Sequence, residues 1–212
     1  MDWQAGRVAF CLGVILLGAG LYGAAMGWWR APLAGVYVAI KFPLIILLTA
    51  FGNAMLNAML APLLGLQASF RQSFLAVLMS FTIASAILGA FSPLVGFLVW
   101  SAPPMTADKT QSIGTYSFIQ VTHFLVIAFA GIVANWRLVQ LLNELSGNIA
   151  TAWRVFVSWL VSNLFLGGQL CWIMRPFIGS PNLPVEFLRP TAFDGNFYET
   201  LFRAVRRLLI DD

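Results

Sequence analysis

Charged residues are scarce in this chain, and their scarcity excludes most soluble folds. Of the 212 residues, 9% are charged and 60% are hydrophobic, whereas a soluble domain carries roughly 25% charged residues. Lipid offers the backbone no hydrogen-bond partner, so a chain that crosses a bilayer forms helices or a closed barrel. The apolar runs lack the two-residue alternation of barrel strands. The composition therefore predicts an all-α, multi-pass integral membrane protein.

Groups that carry out acid–base, nucleophilic or metal chemistry are also rare. The chain has one histidine, two cysteines and eight carboxylates. No carboxylate falls within a predicted span, whereas proton-coupled transporters usually hold an Asp or Glu there. Cys11 and Cys171 lie within predicted spans, and we interpret both as small packing residues. We therefore expect a protein that is not an enzyme and has no catalytic residue, metal site or cofactor.

Five apolar runs are long enough to cross a bilayer, which takes about 20 helical residues. Most end beside Trp, as expected at a membrane interface, and Pro43 fits the first turn of the second helix. The first run could instead be a signal peptide, although it is long for one. The predicted spans, within a bundle domain of residues 1–176, are residues 8–28, 42–64, 73–100, 116–136 and 153–174.

A few polar side chains remain inside these spans. Asn53 and Asn57 share one face of the second span, and His123 lies in the fourth. An unpaired amide in lipid costs several kcal/mol, so these groups must face protein or water. Two interpretations stay open: hydrogen bonds between helices, worth roughly 0.6 kcal/mol each, or the lining of a polar pathway. Lys41 lies at a span edge, from which it can snorkel.

Small residues recur at four-residue spacing on two spans. Ala19, Gly23 and Gly27 form such a series in the first span, and Ser85 with Gly89 forms one in the third. Series of this kind let helix backbones approach closely, either within one chain or between chains. The pattern predicts close packing but does not separate a folded bundle from self-association.

The C-terminal segment, residues 177–212, differs from the spans. Four prolines between Arg175 and Pro190 forbid a long helix, and the apolar residues among them predict an extended strap across the end of the bundle. We call residues 175–190 the strap. Cations near span ends number five on the side of the C-terminus and four on the other, so the positive-inside rule decides little.

A helix is predicted after the strap. Asn196 followed by Glu199 is typical of a helix start, and residues 197–210 separate into an apolar and a basic side, as in an interfacial amphipathic helix. The basic side suits anionic lipid headgroups, at roughly 1 kcal/mol per cation, or an acidic partner. Binding to anionic lipid would place the C-terminus in the cytoplasm. The predicted contacts are Arg203, Arg206, Arg207, Phe197 and Phe202.

About half of the chain resembles a known family. The stretch LLGLQASFRQSFLAVLMSFTIASAILGAFSPLVGFL at 63–98, with a polar-Pro step at Ser92-Pro93, is similar to the Yip-domain family of five-span membrane proteins, and residues 136–161 are similar to the family's next hairpin. The resemblance implies a non-enzymatic role in membrane organisation or trafficking. Because about seven residues precede the first span, we do not expect the small-GTPase binding that eukaryotic members make through an N-terminal region.

These observations lead to two hypotheses about function. The first is a scaffold or accessory subunit of a membrane assembly, whose partners are the bilayer, other membrane subunits or a second copy, and not nucleic acid. The second is a channel or facilitator-type transporter lined by Asn53, Asn57 and His123. A wide polar cavity that reaches these three side chains would favour transport, and a tightly packed bundle with an exposed apolar groove would favour assembly.

Overall fold

The chain folds as a bundle of long helices. The computed structural model describes residues 3–66, 69–103, 109–179 and 184–199, with the backbone alone for 3–4 and 109–113. The helices found in these ranges can each cross a membrane by length and composition, which confirms a multi-pass membrane architecture. They are α1 (Trp3–Trp28), α2 (Pro32–Leu63), α3 (Phe70–Ser101), α4 (Lys109–Ser146) and α5 (Ile149–Met174).

The start of α2 corrects the sequence-based prediction. The helix begins at Pro32, which occupies its first turn, and Pro43 lies inside the helix. The prediction of a start near Phe42, with Pro43 in the first turn, was wrong because a proline can also lie inside a membrane helix. In the folded chain Lys41 is buried, so the helix continues through it.

Side-chain caps and a glycine define the turns at one end of the bundle. The Ser69 hydroxyl accepts a hydrogen bond from the Gln72 N–H at 3.3 Å, and the Gln72 side chain accepts one from the Ser69 N–H at 2.9 Å, which is a capping box. Gly147, with φ 63°, ends α4, as a left-handed residue commonly does. The Asn148 side chain then accepts the Ala150 N–H at 2.9 Å and starts α5.

Successive helices run in opposite directions across the bundle. We call the end where α1 starts the N-terminal side, and the end where α5 stops the tail side. Helix α1 packs against α2 and α3, α3 against α4, and α5 against α2 and α4. Helix α3 therefore lies between α1 and α4.

The small residues of α1 and α3 lie at helix contacts within the chain. A Cβ atom added to Gly23 would lie 2.6 Å from the carbonyl oxygen of Val38, and one on Gly27 would lie 2.6 Å from that of Ala34. A Cβ on Gly89 would lie 2.8 Å from Cα of Gly18. The predicted close approach is confirmed, although Gly18 stands outside the predicted series because α1 meets two helices on different faces.

Candidate functional site

Lys41 holds the strap onto the tail side of the bundle. Its side chain is 0% exposed, and its ammonium group donates to the carbonyl oxygens of Pro176 at 3.3 Å and Glu186 at 3.5 Å. The same nitrogen lies 5.1 Å from the ring centre of Phe187, within cation–π range. The prediction that Lys41 snorkels is wrong, because two carbonyls and an aromatic face take the place of interfacial water.

Other strap residues pack closely on α1 and α2. Phe177 packs against the buried cluster that contains Tyr22, and Phe187 meets the Tyr37 ring edge-on at 5.5 Å between centroids. Gly179 has φ 81°, and a Cβ there would lie 2.9 Å from Cγ of Arg30, so both its conformation and its surroundings require glycine. The described parts of the strap, residues 175–179 and 184–190, therefore lie in defined positions over the tail side.

Arg175 joins the end of α5 to the chain beyond the strap. Its guanidinium donates to the Trp172 carbonyl at 2.6 Å and the Thr191 carbonyl at 3.4 Å, and it stacks 3.6 Å above the Trp172 ring. Burial and the nearby Arg189 lower the pKa of Arg175, while Asp194 raises it. The guanidinium thus fixes the turn that follows the strap.

After this turn the tail runs back along α5. The Asn196 side chain accepts the Glu199 N–H at 2.7 Å, as in the predicted helix start. The Tyr198 hydroxyl lies 2.8 Å from the Phe165 carbonyl oxygen, and burial raises the pKa of Tyr198. A Cβ on Gly168 would lie 3.1 Å from that hydroxyl, so the glycine leaves room for the tail.

The remainder of the predicted amphipathic helix lies outside the described residues. The described first turn of this helix lies beside α5 at the level of Phe165, nine residues or about 14 Å from Met174 at 1.5 Å per residue. Phe197 lies there too, with its N–H donating to the Gln169 side chain at 3.3 Å. The interfacial helix and a cytoplasmic C-terminus stay predictions. The predicted contacts outside the described residues are Phe202, Arg203, Arg206 and Arg207.

His123 has a partner that the sequence-based reasoning missed. Its Nδ1 lies 2.9 Å from the Tyr22 hydroxyl, and both side chains are buried. The rings meet edge-on, with centroids 5.4 Å apart. A tyrosine inside an apolar span was the available signal, since a buried Tyr hydroxyl usually finds a hydrogen-bond partner.

Asn53 and Asn57 lie in the interior of the bundle. Both are 0% exposed, and no side-chain nitrogen or oxygen of either residue has a hydrogen-bond partner in the described part of the chain. Thr49, one turn before Asn53, is also buried, and its hydroxyl has no described partner. Unpartnered buried amides are unusual and call for an explanation such as water.

The partner helix of these residues is α5. A Cβ on Gly167 would lie 3.7 Å from Thr49, and one on Gly65 would lie 3.9 Å from Thr151. This antiparallel register places Asn163 opposite Asn53 and Trp159 opposite Asn57, and both α5 residues have a buried polar atom without a described partner. We call this set the polar seam. It consists of Thr49, Asn53, Asn57, Trp159 and Asn163.

The structure does not bring the three predicted pathway residues together. Gly23 meets Val38, so Tyr22 and its partner His123 lie near the level of Val38 in α2. Asn53 is fifteen residues further along that helix, about 22 Å at 1.5 Å per residue. Asn53 and Asn57 therefore belong to one site, and His123 to another nearer the tail side.

An apolar groove opens on the N-terminal side between α1, α3 and α4. Its volume is about 720 Å³. Phe10, Met79 and Leu145, which line it, are 69%, 36% and 44% exposed, so the groove faces the surroundings of the bundle. No local sequence pattern predicts this groove, because it forms only where α3 separates α1 from α4. Other lining residues are Arg7, Gln72, Leu75, Ala76, Ile83 and Leu141.

Comparisons with known proteins add no family assignment. No group of three His, Cys, Asp or Glu side chains within the described ranges could hold a metal ion. No family model, curated protein or solved structure matches the chain. The resemblance to the Yip-domain family therefore stays a prediction.

Proposed function

We propose that this protein acts without catalysis, as a scaffold or accessory subunit of a membrane assembly. The observation that carries the proposal is the strap, which Lys41 holds over the tail side through two backbone carbonyls. Charge-assisted hydrogen bonds are about twice as strong as neutral ones. A segment outside the helices is thereby held in one conformation, which lowers the entropic cost of binding a partner.

The chain beyond the strap presents an aromatic side chain suited to a partner. Phe193 is 75% exposed, although the turn that carries it is fixed on both sides by Arg175 and Trp172, which donate to the carbonyls of Thr191 and Asp194. Exposed aromatic residues on rigid backbone are typical anchors of protein interfaces. The Phe193 turn is therefore the surface that we assign to partner contact.

The interior of the bundle also supports assembly over transport. The polar residues expected along a pathway lie at two depths, and the large groove is lined mainly by apolar side chains. The described side chains of these two features do not form one polar path across the membrane, and we therefore favour assembly over transport.

The experiment is an affinity pull-down in gentle detergent, read by mass spectrometry. Full-length protein is compared with a chain that ends at Pro176 and with Phe193→Ser. Trp100→Ser is the matched control, because Trp100 is 82% exposed at the tail-side end of α3 but outside the strap. The proposal expects partners that both test chains lose and the control keeps. An identical partner set in all four samples would contradict it.

The polar seam favours a second candidate, a channel or facilitator. Its unpartnered amides at Asn53 and Asn57 would be satisfied by water or by a polar solute. The test is flux of small polar solutes through purified protein in liposomes. Flux that Asn57→Leu abolishes, in a variant that still folds, would establish transport and overturn the scaffold proposal.

A further inference from the structure

The apolar groove has the depth of one membrane leaflet. Along α3 it runs from Gln72 to Ile83, eleven residues or about 16 Å at 1.5 Å per residue. Half of a hydrocarbon core of about 30 Å is nearly the same length. Ile83 lies close to the middle of α3, which extends from Phe70 to Ser101. The groove therefore runs from the interface of the N-terminal side to about the middle of the bilayer.

Two arginines lie beside this groove, one on each flank. Arg7 of α1 lines the groove, and Arg137 of α4 lines an adjoining recess of about 200 Å³ that shares Ala76, Met79 and other residues with it. The Arg137 guanidinium donates to the Gln140 side chain at 2.9 Å. Cations thus lie on both sides of an apolar trough, and the carboxylate of Glu144 lines the same recess as Arg137.

The helix contacts place these two arginines at a similar depth. Gly18 meets Ser85 and Gly89, so Arg7, eleven residues before Gly18, lies near the level of residues 74–78 in α3. The Ser80 hydroxyl donates to the Ala134 carbonyl at 3.3 Å, which puts Arg137 near the level of residue 77. The backbone of both residues therefore lies about halfway down the groove. The Arg137 guanidinium reaches towards the N-terminal side, where it donates to Gln140, and long cationic side chains of this kind can extend to the interface.

The described residues of the N-terminal side carry a net positive charge. Among the described residues placed there, the carboxylate Glu144 is outnumbered by Arg7, Arg71, Arg137 and Arg154. A surface of this kind attracts anionic headgroups, and each cation near the membrane contributes to the attraction. The ligand for an apolar groove beneath it should combine a negative headgroup with a long apolar chain.

We propose that the groove binds an acyl chain of an anionic phospholipid from the leaflet on the N-terminal side, with the headgroup phosphate between Arg7 and Arg137. This inference goes beyond the scaffold role, because that role depends on the opposite end of the molecule. The groove volume of about 720 Å³ lies in the range of roughly 300–1,000 Å³ that small ligands occupy. The leaflet depth and the two flanking cations fit one lipid better than a helix, which would continue across the membrane.

The experiment is native mass spectrometry of the full-length protein in detergent, titrated with dioleoyl phosphatidylglycerol or with dioleoyl phosphatidylcholine. The two lipids share their acyl chains and differ in net charge. We expect one tightly retained phosphatidylglycerol per chain. Because each cation contributes roughly five-fold, the double variant Arg7→Gln, Arg137→Gln should bind it about 25-fold more weakly. The loss should be smaller for phosphatidylcholine, because its choline cation offsets the charge of the phosphate.

Three further variants distinguish binding in the groove from binding to the rest of the surface. Met79→Trp fills the groove and should abolish retention, whereas Leu94→Trp, on a 53% exposed position of the same helix, should not. Arg154→Gln removes a cation of the same side that does not line the groove, and should preserve phosphatidylglycerol affinity. A thermal unfolding curve in the same detergent verifies that each variant folds.

Several results would overturn the proposal. They are equal phosphatidylglycerol affinity in wild type and the double arginine variant, retention that survives Met79→Trp, or equal affinity for both lipids. A disulfide between two copies of Met79→Cys would also overturn it, because a second chain would then occupy the groove.

Discussion

The two ends of the bundle use their cations in different ways. On the tail side, Lys41 and Arg175 donate to backbone carbonyls of the chain itself, and the segment that supplies them is held in place. On the N-terminal side, Arg7 and Arg137 flank an open apolar groove. A cation enclosed by carbonyls stabilises the fold, whereas cations beside an open groove suit a ligand from outside.

The largest expected effect is on the tail side. Lys41→Met removes two hydrogen bonds from a charged donor, each worth about 1.5–3 kcal/mol, so docking of the strap should weaken by about 3 kcal/mol. Hydrogen exchange of residues 184–190, read by mass spectrometry, should become faster. Arg154→Met is the control for loss of one cation. An unchanged rate of hydrogen exchange in Lys41→Met would contradict the claim that the tail-side cations hold the strap in place.

The second largest effect is expected at the contact between α1 and α3, the two helices that form one wall of the groove. Gly18→Ala inserts a methyl group against the α3 backbone, and overpacking of this kind costs about 1–3 kcal/mol. The unfolding temperature in detergent should fall. Gly13→Ala is the matched control in the same helix, since nothing lies within 4 Å of a Cβ there. Equal stability of the two variants would contradict the close contact of α1 with α3.

A smaller loss of stability is expected from breaking the Tyr22–His123 hydrogen bond, which lies between the two ends of the bundle. Tyr22→Phe removes the hydrogen bond to His123, which should cost about 1 kcal/mol. Chemical unfolding in mixed micelles measures the difference. Tyr116→Phe, a partly buried tyrosine of α4, serves as the control. A loss that is no larger at Tyr22 than at Tyr116 would show that the Tyr22–His123 contact contributes no stability.

The smallest effect is expected in the polar seam. Asn57→Leu replaces an unpartnered buried amide by an apolar group of similar size, a change that is often neutral or stabilising. The same unfolding assay should show no loss of stability beyond about 0.5 kcal/mol, the size of an ordinary neutral substitution, because the amide has no described hydrogen bond to lose. A loss of several kcal/mol would mean that Asn57 makes hydrogen bonds. Such bonds, made to water, would support the hydrated polar seam that transport requires.

The class of the protein could be predicted from composition, and the details of its sites could not. Long apolar runs dictate membrane helices, whatever their neighbours do. The role of Lys41 depends on the strap, whose carbonyls at Pro176 and Glu186 come from a segment far along the chain, so the sequence around Lys41 predicted only a side chain that snorkels. The groove depends on the separation of α1 from α4 on the N-terminal side, and no local pattern encodes that separation.

The central claim is that Lys41 holds the strap in one position on the tail side. A distance measured between the strap and the bundle tests it most directly. Spin labels at Leu188→Cys in the strap and Trp100→Cys in α3, with Cys11 and Cys171 replaced by Ala, allow this distance to be measured by pulsed electron paramagnetic resonance in nanodiscs. The account predicts one narrow distance distribution that broadens in Lys41→Met. A distribution that is broad already with Lys41 present, or that Lys41→Met leaves narrow, would contradict it.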